Sequence, residues 1–522
     1  MPVIKFAQRS LRRAFDLAER GLDRVFGPAL NPLAQLGAMG FFMFWIVAVS
    51  GVYLFAVFDT GVEQAYASVE WYTTRHWWHA GVMRSLHRYA SDLMVLLLLL
   101  HMLREFSLDR YRGVRWFSWF TGVPIIWFLY ISGITGYWLV WDRLAQYIAT
   151  SSTELLDWLP IFGEPIARNF LAPSSLSNRL FTLLVFLHIA VPLVLLFTLW
   201  VHIQRISRPK VNPPRLLAAL TLLALLVVAL AKPAVSQGPA NLAQVPSPIG
   251  LDWLYLLLYP LGDASPGALW GVLAAVTVML AAMPWLPPLR RMKPAVIDLD
   301  HCNGCGRCVE DCPYEALQLV PRTDGQPYAV EAVVDPDKCV SCGICTGSCP
   351  SSTPFRNTDT LHTGIDLPDF TFSDMRERVH AIAATLTERP RVLIVGCWHG
   401  ASGSAAGTLQ LPCVAMAPPS LIDYVLSRDL ADGVAIAGCA ESACYNRLGA
   451  EWTRQRIMGE RNPYLRRRVA RERVVTIWAS PHEGVRFKQE LDGFKMRLAA
   501  LPPIAAPLPL PRRLVASEEA IS

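Results

Sequence analysis

The chain has 522 residues, enough for three or four domains of about 150 residues each, and 53% of them are apolar while only 17% are charged. This composition excludes a disordered chain or a nucleic-acid-binding arm and favours a membrane protein, while the net charge of +6 is too small for this length to indicate a partner. All twelve cysteines follow residue 301. This distribution argues against a secreted disulfide-linked protein and against C-x-x-C-H haem attachment in the apolar half.

Six apolar stretches are long enough to cross a hydrocarbon layer of about 30 Å. They lie at about residues 36–58, 86–104, 116–140, 179–203, 214–232 and 266–287. Residues 1–30 instead combine arginines with apolar residues at helical spacing, so we expect an amphipathic helix on the membrane surface rather than a cleaved signal. Residues 31–293 are therefore predicted to form a six-span, all-α membrane bundle.

Basic residues are distributed unevenly between the connections. The first thirty residues carry six Lys and Arg, residues 104–115 carry four, and further basic residues follow the fourth and sixth spans. The alternate connections carry fewer, such as Arg75 and Arg143. By the positive-inside rule, we expect the N-terminus and everything after residue 288, including the C-terminus, to be cytoplasmic.

Histidine is the informative residue within the spans. His87 and His101 lie fourteen residues apart on the second span, and His188 and His202 have the same spacing on the fourth. Fourteen residues at about 100° each return to nearly the same helix face after a rise of about 21 Å. Two such helices can therefore form two bis-histidine sites at two depths. The alternative is that individual histidines are buried and bonded to backbone carbonyls.

Residues 84–106, RSLHRYASDLMVLLLLLHMLREF, and residues 135–142, TGYWLVWD, resemble the cytochrome b subunit of quinol-oxidising bc and bf complexes. Glycines on the first and third spans add to the resemblance, because a haem edge packed there leaves no room for a side chain. They are Gly37, Gly51, Gly122 and Gly136. The resemblance covers about residues 31–293. It implies two b haems, an outer one held by His87 and His188 and an inner one held by His101 and His202.

The quinol motif of that family, Pro-Glu-Trp-Tyr, falls where this chain has GLDWLY at residues 250–255. Asp252 then replaces the glutamate and is one methylene shorter. The resemblance implies a quinone site formed by Asp252, Trp253 and Tyr255, in a pocket shared with Tyr137 and Trp141. The alternative is that Asp252 caps a helix at the membrane edge.

Two cysteine runs of the form C-x2-C-x2-C-x3-C-P occupy a predicted domain at residues 294–360. This repeat resembles the bacterial two-cluster ferredoxin, an α+β fold in which the fourth cysteine of each run ligates the other cluster. The resemblance implies one [4Fe-4S] cluster on Cys302, Cys305, Cys308 and Cys349, and another on Cys339, Cys342, Cys345 and Cys312. Zinc is the alternative for a C-x-x-C pair, although four cysteines in one run suit a cubane better. We expect the membrane to be the bacterial cytoplasmic (inner) membrane.

Residues 385–480 alternate β-rich runs (RVLIVG, LPCVAM, GVAIAG, RVVTIW) with helical stretches, which predicts a small parallel α/β domain. Four cysteines are expected at or near the carboxyl ends of its strands: Cys397, Cys413, Cys439 and Cys444. The segment AGCAESACYNRLGAEWTRQR resembles the delta subunit of methyl-viologen-reducing hydrogenases, which implies one [2Fe-2S] cluster on these cysteines. Zinc or unligated buried thiols are the alternatives.

The arginine-rich residues 447–473 are expected either to dock an acidic or flavoprotein partner or to form a solvated helix face, and residues 481–522 form a tail. We find no flavin, nicotinamide or molybdenum motif, so the chain is expected to be one subunit of a larger complex. It would link quinone, through the haems and clusters, to a soluble flavoprotein of the heterodisulfide-reductase type. Electron flow toward quinone is favoured. The alternatives are quinol oxidation that drives a low-potential acceptor, and a haem-bearing anchor without its own quinone site.

Overall fold

The fold is described by a computed structural model over residues 2–161, 165, 166, 171, 176–204, 206, 209–286, 292–350, 361–403, 405–481 and 483–502. These residues form two compact units, which divide between residues 290 and 291. The basic connection at 287–291 and the part of the predicted tail from residue 503 onward lie outside the described residues.

The first unit is helical throughout its regular structure. Its helices are α1 (Pro2–Phe26), α2 (Leu36–Val57), α3 (Gln64–Thr74), α4 (Val82–Ser107), α5 (Trp116–Val140), α6 (Arg143–Asp157), α7 (Asn178–Ile203), α8 (Arg215–Ala231), α9 (Tyr259–Ala264) and α10 (Pro266–Ala282). Five helical segments among the described residues are long and apolar enough to cross a membrane: Pro32–Val57, Trp77–Ser107, Trp116–Val140, Asn178–Ile203 and Pro266–Trp285. The stretch predicted as a span at 214–232 forms α8, which has only 17 residues.

Two helix pairs dominate the packing of this unit. Helix α2 packs mainly on α4, and α5 packs mainly on α7, so each histidine-bearing helix has a glycine-bearing partner. The core between them is apolar, with Met43, Ala90 and Val95 buried. Helix α1 is joined to the end of α4 by a buried ion pair, in which Glu19 Oε1 lies 2.8 Å from Arg104 Nε.

The second unit contains a small α+β part and a parallel α/β part. The first has the antiparallel pairs β1 (Val296–Ile297) with β4 (Ile365–Asp366) and β2 (Leu317–Pro321) with β3 (Val330–Val334), and the short helices α11 (Arg307–Glu310) and α12 (Ile344–Ser348). The second has strands β5 (Val392–Cys397), β6 (Thr408–Leu411), β7 (Gly433–Gly438) and β8 (Val474–Trp478), with helices α13 (Phe372–Thr385), α14 (Pro419–Ser427), α15 (Gly449–Met458) and α16 (Gly484–Ala499). All neighbouring strands of the order β6-β5-β7-β8 are parallel, which confirms the predicted α/β domain.

One predicted strand of this sheet is displaced. The run LPCVAM was expected to form a strand, but β6 ends at Leu411 and Val414–Met416 form a 3-10 turn. The pairing explains the end of the strand, because Leu411 pairs with Cys397, the last residue of β5, and the next residue is Pro412, which has no N–H to donate. Cys413 therefore follows the strand instead of lying in it.

Candidate redox-cofactor sites

The histidines predicted at the outer haem face each other from α4 and α7. The ring centroids of His87 and His188 are 6.3 Å apart. His87 Nδ1 lies 3.0 Å from the carbonyl oxygen of Val47, and His188 Nδ1 lies 3.0 Å from that of Ser132. A carbonyl can only accept, so these contacts require a proton on Nδ1 and leave each Nε2 as the nitrogen able to bind iron.

Each of the four histidine rings faces a glycine on the paired helix. The pairs are Gly51 with His87, Gly136 with His188, Gly37 with His101 and Gly122 with His202. A Cβ atom on Gly136 would lie 2.8 Å from His188 Cε1, and one on Gly51 would lie 3.0 Å from His87 Cε1. Glycine at these positions therefore gives the rings their room, and the residues fit two bis-histidine haems stacked along the bundle.

Three hydroxyl groups that the sequence analysis missed contact these histidines. Ser50 Oγ lies 3.1 Å from His87 Nδ1, Thr121 Oγ1 lies 3.1 Å from His202 Nδ1, and Thr135 Oγ1 lies 3.2 Å from His188 Nδ1. Each hydroxyl residue directly precedes one of the glycines, so a Ser/Thr-Gly dipeptide repeated at the histidine spacing was the available signal. Such partners fix the ring orientation of a histidine ligand.

We predict that Gly51→Val lowers the haem content from about two to about one per chain, because the added side chain crowds the His87 ring and displaces a ligand. Gly40→Val is the matched control on the same helix, since an added Cβ at Gly40 meets no atom within 4 Å. Haem would be counted by its pyridine haemochrome spectrum. Two haems retained in Gly51→Val would contradict the placement of the outer site.

Asp252 lies in a polar cluster with side chains of α4 and α5. Its Oδ2 lies 2.6 Å from Arg88 Nη2 and also accepts a hydrogen bond from the Tyr137 hydroxyl, while Leu254 N donates to Oδ1 at 2.9 Å. Arg88 Nε also lies 3.2 Å from Asp92 Oδ2, so one guanidinium joins two carboxylates. The helix that follows begins only at Tyr259, and Asp252 is therefore not its N-cap.

The aromatic residues predicted around Asp252 are only partly brought together. Tyr255 is buried, and its hydroxyl lies 2.6 Å from Ser91 Oγ on α4. Trp253 is 63% exposed, and Trp141 packs edge-on against Phe181, at a centroid distance of 5.1 Å. The described cluster thus consists of polar side chains and tyrosines, without the indole of Trp253.

In the second unit, the eight cysteines of the two runs line two separate cavities. Cys302, Cys305, Cys308 and Cys349 line the first, and Cys312, Cys339, Cys342 and Cys345 line the second. The fourth cysteine of each run thus lies with the first three of the other run, as the predicted ligand exchange requires. Burial, together with the neighbouring thiols, raises the pKa of Cys308 to about 12, and iron would supply the positive charge that buried thiolates need.

The four remaining cysteines meet at one edge of the parallel sheet, and all are buried. Cys397 ends β5, Cys439 directly follows β7, and Cys413 follows β6 by two residues. Because these strands are adjacent and parallel, their carboxyl ends lie side by side. The Cys397 thiol, together with burial, raises the pKa of Cys439 to about 12, while the Cys444 thiol acts in the opposite direction. Four converging thiols fit a [2Fe-2S] cluster.

Comparison with known families gives three matches in chain order. Residues 22–209 match the family described as cytochrome b/b6/petB, residues 301–353 match the 4Fe-4S dicluster domain, and residues 404–502 match the delta subunit of methyl-viologen-reducing hydrogenase. The chain is therefore a cytochrome b region followed by a ferredoxin domain and a hydrogenase delta-subunit-like domain. This combination, with several long apolar helices, identifies a multi-pass membrane electron-transfer subunit with haem b and [4Fe-4S] clusters.

Among solved structures, one similar chain comes from a structure called "Hyperthermophilic respiratory Complex III". It is 20% identical, and the match covers 48% of this chain and 74% of that chain with a TM-score of 0.35. So distant a likeness adds nothing about function.

Proposed function

We propose that this chain carries electrons between the quinone pool and a soluble flavoprotein, through two b haems and three iron–sulfur clusters, with electron flow toward quinone. The observation that supports it most is the placement of four partly buried histidine rings, each opposite a glycine, on two helices of the membrane unit. Haem bound there would supply one-electron transfer at two depths of the bilayer. The chain itself would orient each imidazole and exclude other side chains from the haem edge.

The geometry of each unit supports the ligand sets that we propose. Nε2 of His87 and His188 would hold the outer haem, and that of His101 and His202 the inner one. The two cysteine cavities would hold [4Fe-4S] clusters, and the edge of the parallel sheet a [2Fe-2S] cluster on Cys397, Cys413, Cys439 and Cys444. Buried thiols and amide N–H groups, such as Ala316 N at 3.2 Å from Cys312 Sγ, would then tune the potentials.

Helix α8 is proposed as the sixth span. With six spans, both termini would lie on the cytoplasmic side of a bacterial inner membrane. The 17 residues of α8 rise about 26 Å, which is at the short end of what crosses a hydrocarbon layer. The helix has no charged residue between Arg215 at its start and Lys232 after its end, and both can extend toward the interfaces.

The quinone would bind beside Asp252, where Arg88, Tyr137 and Tyr255 supply donors and an aromatic wall. Its reduction takes two electrons and two protons, and a carboxylate cluster reaching into the bundle can hold or release protons there. The same feature supports the second candidate function, quinol oxidation, since a carboxylate beside the ring hydroxyl would accept the released proton. The potentials of the haems and clusters decide between the two directions.

The full-length protein in detergent gives the direct test. Reduced methyl viologen should reduce the iron–sulfur clusters and then the haems, and a soluble quinone added afterwards should reoxidise the haems under anaerobic conditions. The same sequence with Cys413→Ser should lose most viologen-driven haem reduction. Haems that are reduced at the wild-type rate in this variant, or that quinone does not reoxidise, would contradict the proposal.

We predict that the wild-type chain contains about ten non-haem irons and that Cys413→Ser contains about eight, because one [2Fe-2S] cluster is lost. Iron, acid-labile sulfide, zinc and haem would be measured on the same sample, and an unchanged haem content shows that the membrane unit is intact. About one zinc per chain in place of the missing irons would instead favour the zinc alternative at this edge of the sheet.

A further inference from the structure

A single arginine joins segments that flank all three predicted iron–sulfur sites. Arg456 lies on α15 and is fully buried, with a side-chain exposure of 1%. Its Nη1 donates to the carbonyl oxygen of Ala415 at 2.8 Å, and its Nη2 donates to Ser348 Oγ at 3.0 Å and to the carboxylate of Asp311. These partners lie within two residues of one predicted ligand from each site: Cys312, Cys349 and Cys413.

The charge of this arginine is not fully compensated by its neighbours. Asp311 also accepts from Arg461 Nε at 2.8 Å, so two guanidinium groups share one carboxylate and the group keeps a net positive charge. The Nε–H of Arg456 is buried and has no hydrogen-bond partner among the described residues. An orphaned buried donor of this kind is costly unless a group bound nearby accepts from it.

The guanidinium that carries this unpaired donor lies beside the segment of Cys413. Its Nη1 donates to the carbonyl oxygen of Ala415, two residues after Cys413. Trp452, one turn earlier on α15, shares an apolar cluster with Cys413, Ile344 and Cys342, so thiols of two different sites meet in this cluster. Gly449 completes the close packing, because a Cβ atom there would overlap Cys413 Sγ.

We propose that Arg456 is the positioning residue that joins the cluster sites and raises the reduction potential of the cluster on Cys397, Cys413, Cys439 and Cys444, an inference that rests on the proposed function. One-electron reduction adds one negative charge to that cluster without moving a proton. A buried positive charge close to the cluster would stabilise its reduced state. Because Asp311 is the counter-charge, its removal should act in the opposite direction.

The test is a dithionite titration of the full-length protein, followed by the EPR signal of the [2Fe-2S] centre. Arg456→Met should shift the one-electron reduction equilibrium at least tenfold toward the oxidised state, about 59 mV in potential, and Asp311→Asn should shift it toward the reduced state. The matched control is Arg454→Gln on the same helix. Arg454 is 38% exposed and pairs with Glu441 and Glu460. The [2Fe-2S] centre of this variant should therefore have the same reduction potential as that of the wild type.

The outcomes separate this inference from the proposed function. Equal potentials in Arg456→Met and the wild type, at equal iron content, would overturn the role of Arg456 and leave the clusters in place. If Arg456→Met loses iron, the role of Arg456 is decided by Asp311→Asn and the charge-retaining Arg456→Lys. Potential shifts of the same sign in these two variants would indicate loosened packing and overturn the role of Arg456. A wild-type protein without the [2Fe-2S] signal would contradict the proposed function itself.

Discussion

His101→Leu or His202→Leu is expected to remove one b haem and leave the other, so that the haem content falls from about two to about one per chain. Each variant loses one axial ligand of the same iron, and a single remaining imidazole holds haem b far more weakly than a pair. Both variants should therefore retain the same low-spin haem, with the same spectrum and potential. His87→Leu and His188→Leu should both retain the haem held by His101 and His202.

The comparison of four variants tests the pairing as well as the ligands. Different residual spectra in His101→Leu and His202→Leu, or two haems in both, would contradict the assignment. His76→Leu is a suitable control in the same unit, because His76 Nδ1 lies 3.1 Å from His79 Nε2 and outside the glycine-faced set. It should retain both haems. Iron–sulfur content should stay unchanged in all five variants.

The membrane unit shows how much a strongly periodic sequence determines. The third span, predicted at 116–140, is observed at Trp116–Val140, because an apolar run between polar residues has only one helical interpretation. The glycines were expected from the resemblance to cytochrome b, and the common face of each histidine pair followed from the helical period. The hydroxyl contacts of Ser50, Thr121 and Thr135 did not, since they depend on which helices pack together.

The cysteine-rich unit shows where sequence patterns reach their limit. The strand expected around Cys413 ends earlier because its partner strand ends at Cys397, a tertiary constraint that local β-propensity cannot express. Arg456 belongs to the arginine-rich residues 447–473, which were expected on a surface, yet it is fully buried. No composition rule distinguishes it from the exposed Arg454 two residues earlier. The difference is the ferredoxin segment that packs on α15.

The irregular segment before α9 is the second place where the sequence did not predict the arrangement of the side chains. Its sequence predicted a site from Asp252, Trp253 and Tyr255, but a turn has no helix or strand period that would assign faces. The structure directs Asp252 toward Arg88 and Tyr137 and leaves Trp253 exposed. A substitution of Asp252 is therefore the most direct test of the quinone site.

Asp252→Asn is expected to leave both haems and all clusters assembled and to slow quinone-linked turnover by about 10²-fold or more, the usual scale for losing a positioned acid or base. Asparagine keeps the size of the side chain and can still contact Tyr137, but it removes the negative charge beside Arg88, which retains Asp92. Asp263→Asn is the control, because Asp263 bonds Tyr147 and Ser151 instead. Unchanged turnover in Asp252→Asn, with haem content confirmed, would mean that quinone reacts near His101 and His202.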